Sequence, residues 1–145
     1  MPILTTALGS GGPIIPLLIG VSKPREAALI AAHQAVPPPV QMRALIDTGA
    51  SSTCIEAGSL TSLSLAPTGT VLITTPSTGQ NPIQCSQYDV SLIFVHPNLP
   101  LVFPAMPIIE CQPLGGNFQA LLGRDFLRYC LFVYDGQAQH FALSF

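Results

Sequence analysis

The chain has 145 residues, enough for one domain with a real core, and a formal net charge of −2. Only 8% of its residues are charged and 48% are hydrophobic, so much of the surface must be apolar or neutral, as on a domain that a partner covers. The basic residues Lys23, Arg25, Arg43, Arg124 and Arg128 form no cluster, which leaves no electrostatic case for nucleic acid. No apolar run is long enough to span a bilayer, and no positive segment precedes the apolar stretch 13–21, so neither a membrane anchor nor a signal peptide is expected. Cys54, Cys85, Cys111 and Cys130 match no metal-binding spacing. Free thiols in a reducing, cytoplasmic setting are expected, with a disulfide pair left open and no metal or cofactor.

Residues 1–12 are rich in Thr and Gly and read as an N-terminal arm, with a short strand at 2–4 and a flexible link; residues 13–145 form the domain. Ile14–Val21 is apolar but carries Pro16, which suits an edge strand or a bulge. The Ala-rich stretch 27–36 is compatible with a helix or a strand, and the reading favours a strand. The prolines at 37–39 impose an extended link, and 40–46 is a strand. A return strand follows at 53–55, with Cys54 as a core filler. Residues 56–65 read as a loop with room for one helical turn. Stretches 68–75 and 83–95 are strand-like about the turn cluster Pro76-Ser77-Thr78-Gly79-Gln80-Asn81, which predicts a hairpin. After the proline-punctuated 96–104 come a strand at 106–110, a Gly-rich loop at 112–117 and a buried strand at 118–122. One or two helical turns at 125–129 precede a final hairpin, 131–134 with 140–145, about Asp135-Gly136. The sum is an all-β domain with one short C-terminal helix.

The most informative stretch is Ala44-Leu45-Ile46-Asp47-Thr48-Gly49-Ala50-Ser51-Ser52. A buried strand ends in a carboxylate on a tight turn, and Gly49 is free to take a backbone conformation other residues resist. An ionisable group at such a place needs hydrogen-bond partners or a task. Alone, the triplet would be an ordinary helix-cap or turn aspartate. The hydroxylated residues after it, and a second apolar-apolar-Gly segment at Leu121-Leu122-Gly123-Arg124-Asp125, argue for more.

Together these two segments resemble the active-site signature of the retropepsin-like, single-domain aspartic proteases, and the likeness runs over residues 13–145. The resemblance implies a closed β-barrel-like fold, active as a two-fold homodimer on peptide or protein substrates. Asp47 would be catalytic, with Thr48 and Gly49 supporting it and Thr48 bonding across the axis. Gly49, Ala50 and a flap tip of Ser77, Thr78 and Gly79 would meet the substrate. Leu122, Gly123 and Arg124 would be structural neighbours of the site. In that family the first residues pair with the last strand of the partner subunit.

The chemistry agrees with the resemblance. Hydrolysis without a metal or covalent intermediate needs a base to activate water and an acid to protonate the amide. Two carboxyls about 3 Å apart can do both by sharing one proton. The chain has one Asp-Thr-Gly, and Asp125 reads better as a helix-start carboxylate, so symmetry must supply the second acid. The sequence departs from the family pattern in places. Ala50 offers no hydroxyl to the dyad, so activity from mildly acidic toward neutral pH is expected. The flap tip has one glycine between Pro76 and Pro82. Ser51 and Ser52 stand where Arg124 would find an acid, leaving backbone carbonyls, hydroxyls or Glu56 as its partners. Leu101, Phe103, Met106 and Ile108 could wall a pocket, though core is the better assignment. His33, His96 and His140 lie in unrelated contexts and suggest neither a triad nor a zinc site. The alternatives are a weakly catalytic peptide-binding or dimerisation module on the same fold, and a β-rich interaction domain whose Asp-Thr-Gly is only a turn.

Overall fold

In the computed structural model, which describes residues 2–98 and 100–145, six strands close into a barrel. Met1, in the N-terminal arm, and Leu99, in the proline-punctuated stretch, lie outside the described residues. The barrel strands are β2 (Ile14–Val21), β3 (Val40–Ile46), β8 (Ala120–Leu122), β4 (Cys54–Glu56), β7 (Leu101–Cys111) and β6 (Ile83–Phe94) in that spatial order. Closure is made by β2 against β6, Leu18 facing Ile93 and Val21 facing Val90. β5 (Gly69–Ile73) extends the sheet beyond β6 as a hairpin. A separate three-stranded sheet has the order β1 (Ile3–Ala7), β10 (His140–Ser144), β9 (Leu131–Asp135).

The barrel interior follows from period-two alternation. Leu17, Ile19, Met42, Ala44, Ile55, Leu92, Ile108, Ala120 and Leu122 are all buried. An aromatic group closes one side: Phe126 stacks on Phe94 at 5.4 Å, and Phe103 and Phe145 pack on both. Phe126 lies in α3 (Arg124–Leu127), so the core holds the segment that follows Gly123.

Three expectations about elements are corrected. The stretch expected as a strand at 27–36 is instead a helix, α1 (Lys23–Ala31), followed by an irregular link. Ser22 caps it by accepting from the Arg25 N–H, Pro24 occupies the first turn, and Lys23 pairs with Glu26 at 2.7 Å. Alanine tolerates both states, and these start signals decide for helix. α2 (Ala57–Leu60) and a 3-10 turn at Thr61–Leu63 occupy the stretch read as a loop with room for one helical turn, and strands still dominate the chain. The arm is also more structured than a short strand and a link. β1 runs through Ala7, pairing Ile3 with Ser144 and Ala7 with His140 of the same chain. β7 begins five residues earlier than expected, at Leu101, because a bulge opposite Val90 and Leu92 absorbs Pro104.

Candidate active site

β3 and β8 run parallel, Ala44 beside Ala120 and Ile46 beside Leu122. The ladder goes one step further, with the Asp47 N–H donating to the Leu122 carbonyl at 3.0 Å. Asp47 and Gly123 are thus carried out of the sheet side by side. The chain turns at once: the Ala50 N–H returns to the Asp47 carbonyl at 3.2 Å, and the Gly49 N–H donates to Asp47 Oδ1 at 2.8 Å. Among the described residues no other donor reaches that carboxylate, which is half-buried and open to a further partner. Gly49 does not use its freedom to take a left-handed backbone conformation. Its missing side chain matters differently, since a Cβ would lie 3.1 Å from Asp47 Oδ1.

Arg124 fastens the turn. Its Nη1 donates to the carbonyls of Thr48 at 2.9 Å and Gly49 at 3.1 Å, and its backbone N–H donates to the Ala50 carbonyl at 2.9 Å. Of the partners left open by the sequence, the backbone carbonyls are those used. Behind it sits a brace that sequence reasoning missed. The fully buried Thr53 donates its N–H to Asp125 Oδ2 at 2.9 Å and its hydroxyl to Asp125 Oδ1 at 2.8 Å. The same hydroxyl accepts the Gly123 N–H at 3.1 Å, and Asp125 Oδ1 also accepts the Phe126 N–H at 2.8 Å. Asp125 is spent on holding the loop; it does not meet Asp47 as a second acid within the chain.

The surface beside Asp47 follows from register. Leu45 pairs with Leu121, Leu121 with Cys54, and Cys54 with Ile109. Paired residues share a face, and Leu45 and Asp47 alternate onto the same one. This face is apolar and only partly covered at Leu45, Leu121 and Cys54. Cys54 therefore belongs to the wall beside Asp47, not to the core. Met106 and Ile108 are buried in the core, and Leu101 and Phe103 pack against it, so none of the four lines this face.

The β5–β6 hairpin pairs Ile73 with Ile83 and Gly69 with Gln87. At its tip the Thr75 N–H donates to Thr78 Oγ1 at 2.8 Å, and Gly79 takes φ +59. Ser77 and Gly79 are exposed and Thr78 is partly covered. Tyr88 ties the hairpin's base to β7 by donating to Glu110 at 2.8 Å. Two cavities, of about 360 and 230 Å³, lie beside α2 and α1, and neither is lined by Asp47.

This architecture has a counterpart among solved structures. The crystal structure of a retropepsin-like aspartic protease from Rickettsia conorii matches 98% of this chain and 89% of its own, with a TM-score of 0.55 and 17% identity. The fold is retropepsin-like. No protein-family model and no curated protein matches the sequence. Within this retropepsin-like barrel the Asp47 turn and the Gly123-Arg124 segment stand together at the ends of two parallel strands. No helix among the described residues is long and apolar enough to cross a membrane.

Proposed function

We propose that the chain is an aspartic endopeptidase, active as a homodimer, that hydrolyses peptide bonds with a water held between the Asp47 carboxyls of two subunits. One observation carries this reading: a half-buried carboxylate ends a barrel strand on a turn that Arg124 and the Thr53–Asp125 brace hold rigid. A turn aspartate with no task needs no such support. In the dimer one carboxylate takes a proton from water while the other, protonated, gives its proton to the amide carbonyl oxygen. The tetrahedral intermediate then collapses as a proton passes to the leaving nitrogen. No metal or cofactor enters the scheme. Thr48 bonds across the axis, Gly49 and Ala50 meet the peptide backbone, and the apolar wall of Leu121 and Cys54 favours bulky apolar side chains.

The hairpin serves as the flap. Leu72 and Ile83 are large apolar residues left exposed on it, as expected of a cover that meets a ligand, and Ser77, Thr78 and Gly79 form its closing edge. The partner surface is β9, an edge strand of the small sheet, where Leu131, Val133 and Tyr134 are exposed. A second copy covers it. Free cysteines support a reducing, cytoplasmic location.

Cleavage of a denatured-protein peptide library, blocked by a pepstatin-type inhibitor, tests the activity. Replacing Val133 with Lys tests the partner surface. Burying an unpaired ammonium there should raise the dimer dissociation constant at least tenfold, about 1.4 kcal/mol. Sedimentation equilibrium reads this directly, and an unchanged constant would place the dimer contact elsewhere.

A further inference from the structure

The tip of the β5–β6 hairpin is bonded more closely than a connecting loop requires. Beyond the last ladder pair, Ile73 with Ile83, residues 74–82 turn the chain. The Thr78 and Gly79 N–H groups both donate to the Thr75 carbonyl, at 3.0 and 3.2 Å, and the Asn81 N–H donates to the Thr78 carbonyl at 3.2 Å. The Thr75 N–H donates to Thr78 Oγ1 at 2.8 Å, and the Thr78 hydroxyl donates back to the Thr75 carbonyl at 3.0 Å. Thr75 Oγ1 accepts a second, longer bond from the Thr78 N–H at 3.3 Å and shares a hydrogen bond with Ser77 Oγ at 2.8 Å.

Each threonine thus accepts the other's backbone N–H. This is the reciprocal bonding of a helix capping box, with Thr78 in the place of the usual acid, spent on a single turn. The rest of the segment fits that geometry. Pro76 follows Thr75 with its φ already set, and it has no N–H to satisfy. Gly79 ends the turn at φ +59, where a glycine is at ease. Pro82 restricts the return into β6. The N–H groups of Ser77 and Gln80 have no partner among the described residues, and both residues are exposed. A cover that closes over a peptide must have its end ordered in the complex. Ordering done beforehand is not charged against binding.

We propose that Thr75 and Thr78 are positioning residues whose mutual hydroxyl lock preforms the flap tip, so that the hairpin captures a peptide by moving as one body. The proposal rests on the endopeptidase reading above and adds a control on substrate capture to it. Neither threonine bonds to the Asp47 turn, so the lock acts on KM and leaves the chemical step alone. It also gives the two prolines around the single glycine a purpose: they stiffen the same turn that the hydroxyls close.

The test compares the full chain with Thr75→Val, Thr78→Val, the double variant and Thr78→Ser. Valine keeps the branched shape and removes the hydroxyl. Each single valine should raise KM for a cleaved library peptide about tenfold, with kcat within about twofold and the melting temperature unchanged. The double variant should be no worse than the poorer single, because both changes open one lock. Thr78→Ser keeps the hydroxyl and should restore the KM. Amide exchange followed by NMR reads the lock without any cleavage. In the free wild type the Thr75 and Gly79 N–H groups should exchange at least about tenfold more slowly than those of Ser77 and Gln80, and both valine variants should lose that difference. Unprotected Thr75 and Gly79 amides, an unchanged KM in the valine variants, or single effects that simply add would overturn the proposal. A wild type that shows the protection but cleaves no peptide would sink the endopeptidase reading, and the capture role with it.

Discussion

Replacing Asp47 with Asn is expected to abolish peptide cleavage, a loss of about 10³-fold or more, while leaving fold and dimerisation intact. The amide keeps the size of the carboxyl, and its oxygen can still accept the Gly49 N–H now bound at 2.8 Å. It cannot take a proton from water or share one with a second carboxyl. The expected pattern is lost cleavage of a peptide library, an unchanged melting temperature and an unchanged sedimentation profile. Mixed dimers sharpen the test. If each site needs two Asp47 carboxyls, wild type and variant mixed equally and allowed to exchange keep about a quarter of their dimers competent. Activity then falls with the square of the wild-type fraction. A linear fall would mean that each chain carries its own complete site, and equal activity in the pure variant would reduce Asp47 to a turn residue. Peptide binding without cleavage by the wild type would favour the binding-module alternative.

What could be read in the sequence was local, and what could not was either ambiguous or distant. The strand into Asp47 and the turn after it are dictated within nine letters, because an apolar run, a carboxylate and a glycine leave few arrangements. The hairpin around residues 74–82 was legible for the same reason, strand formers flanking turn formers. The Ala-rich stretch after Ser22 was ambiguous, since alanine tolerates helix and strand alike. Its cap and first-turn proline were the deciding signal and lay just upstream. The brace between Thr53 and Asp125 joins residues 72 apart, and no periodicity announces such a bond. A buried threonine beside a carboxylate at a helix start becomes meaningful only when β4 and β8 are seen to be neighbours. From sequence alone Cys54 reads as a core filler, because its neighbours are apolar. Register alone reveals that it shares a face with Asp47, and no reading of one strand can supply that.

Gly123→Ala is expected to be the most damaging single-methyl change in the chain. A glycine is needed at this position by close approach, not by an unusual backbone angle: φ is −86 and ψ −175, open to any residue. A Cβ built there would stand 2.6 Å from the Ser52 carbonyl carbon, 2.7 Å from its oxygen and 3.0 Å from the Ala50 oxygen. These are backbone atoms, so no rotamer change relieves the contact. They also belong to the loop that leaves Asp47, and that loop cannot retreat without stretching the Arg124 N–H bond to Ala50 or the Gly123 N–H bond to Thr53. The cost should be about 3 kcal/mol. Against a total stability of roughly 5–15 kcal/mol this lowers the melting temperature by about 10 °C without necessarily unfolding the chain. Calorimetry measures the shift. Cleavage by the folded fraction should fall more steeply than stability, because the displaced loop is the one that aims the carboxylate. A variant that melts like the wild type would show that the two strand ends are not packed as tightly as their backbone separation indicates. Loss of stability with full activity per folded molecule would show that the Asp47 turn holds its shape independently of Gly123.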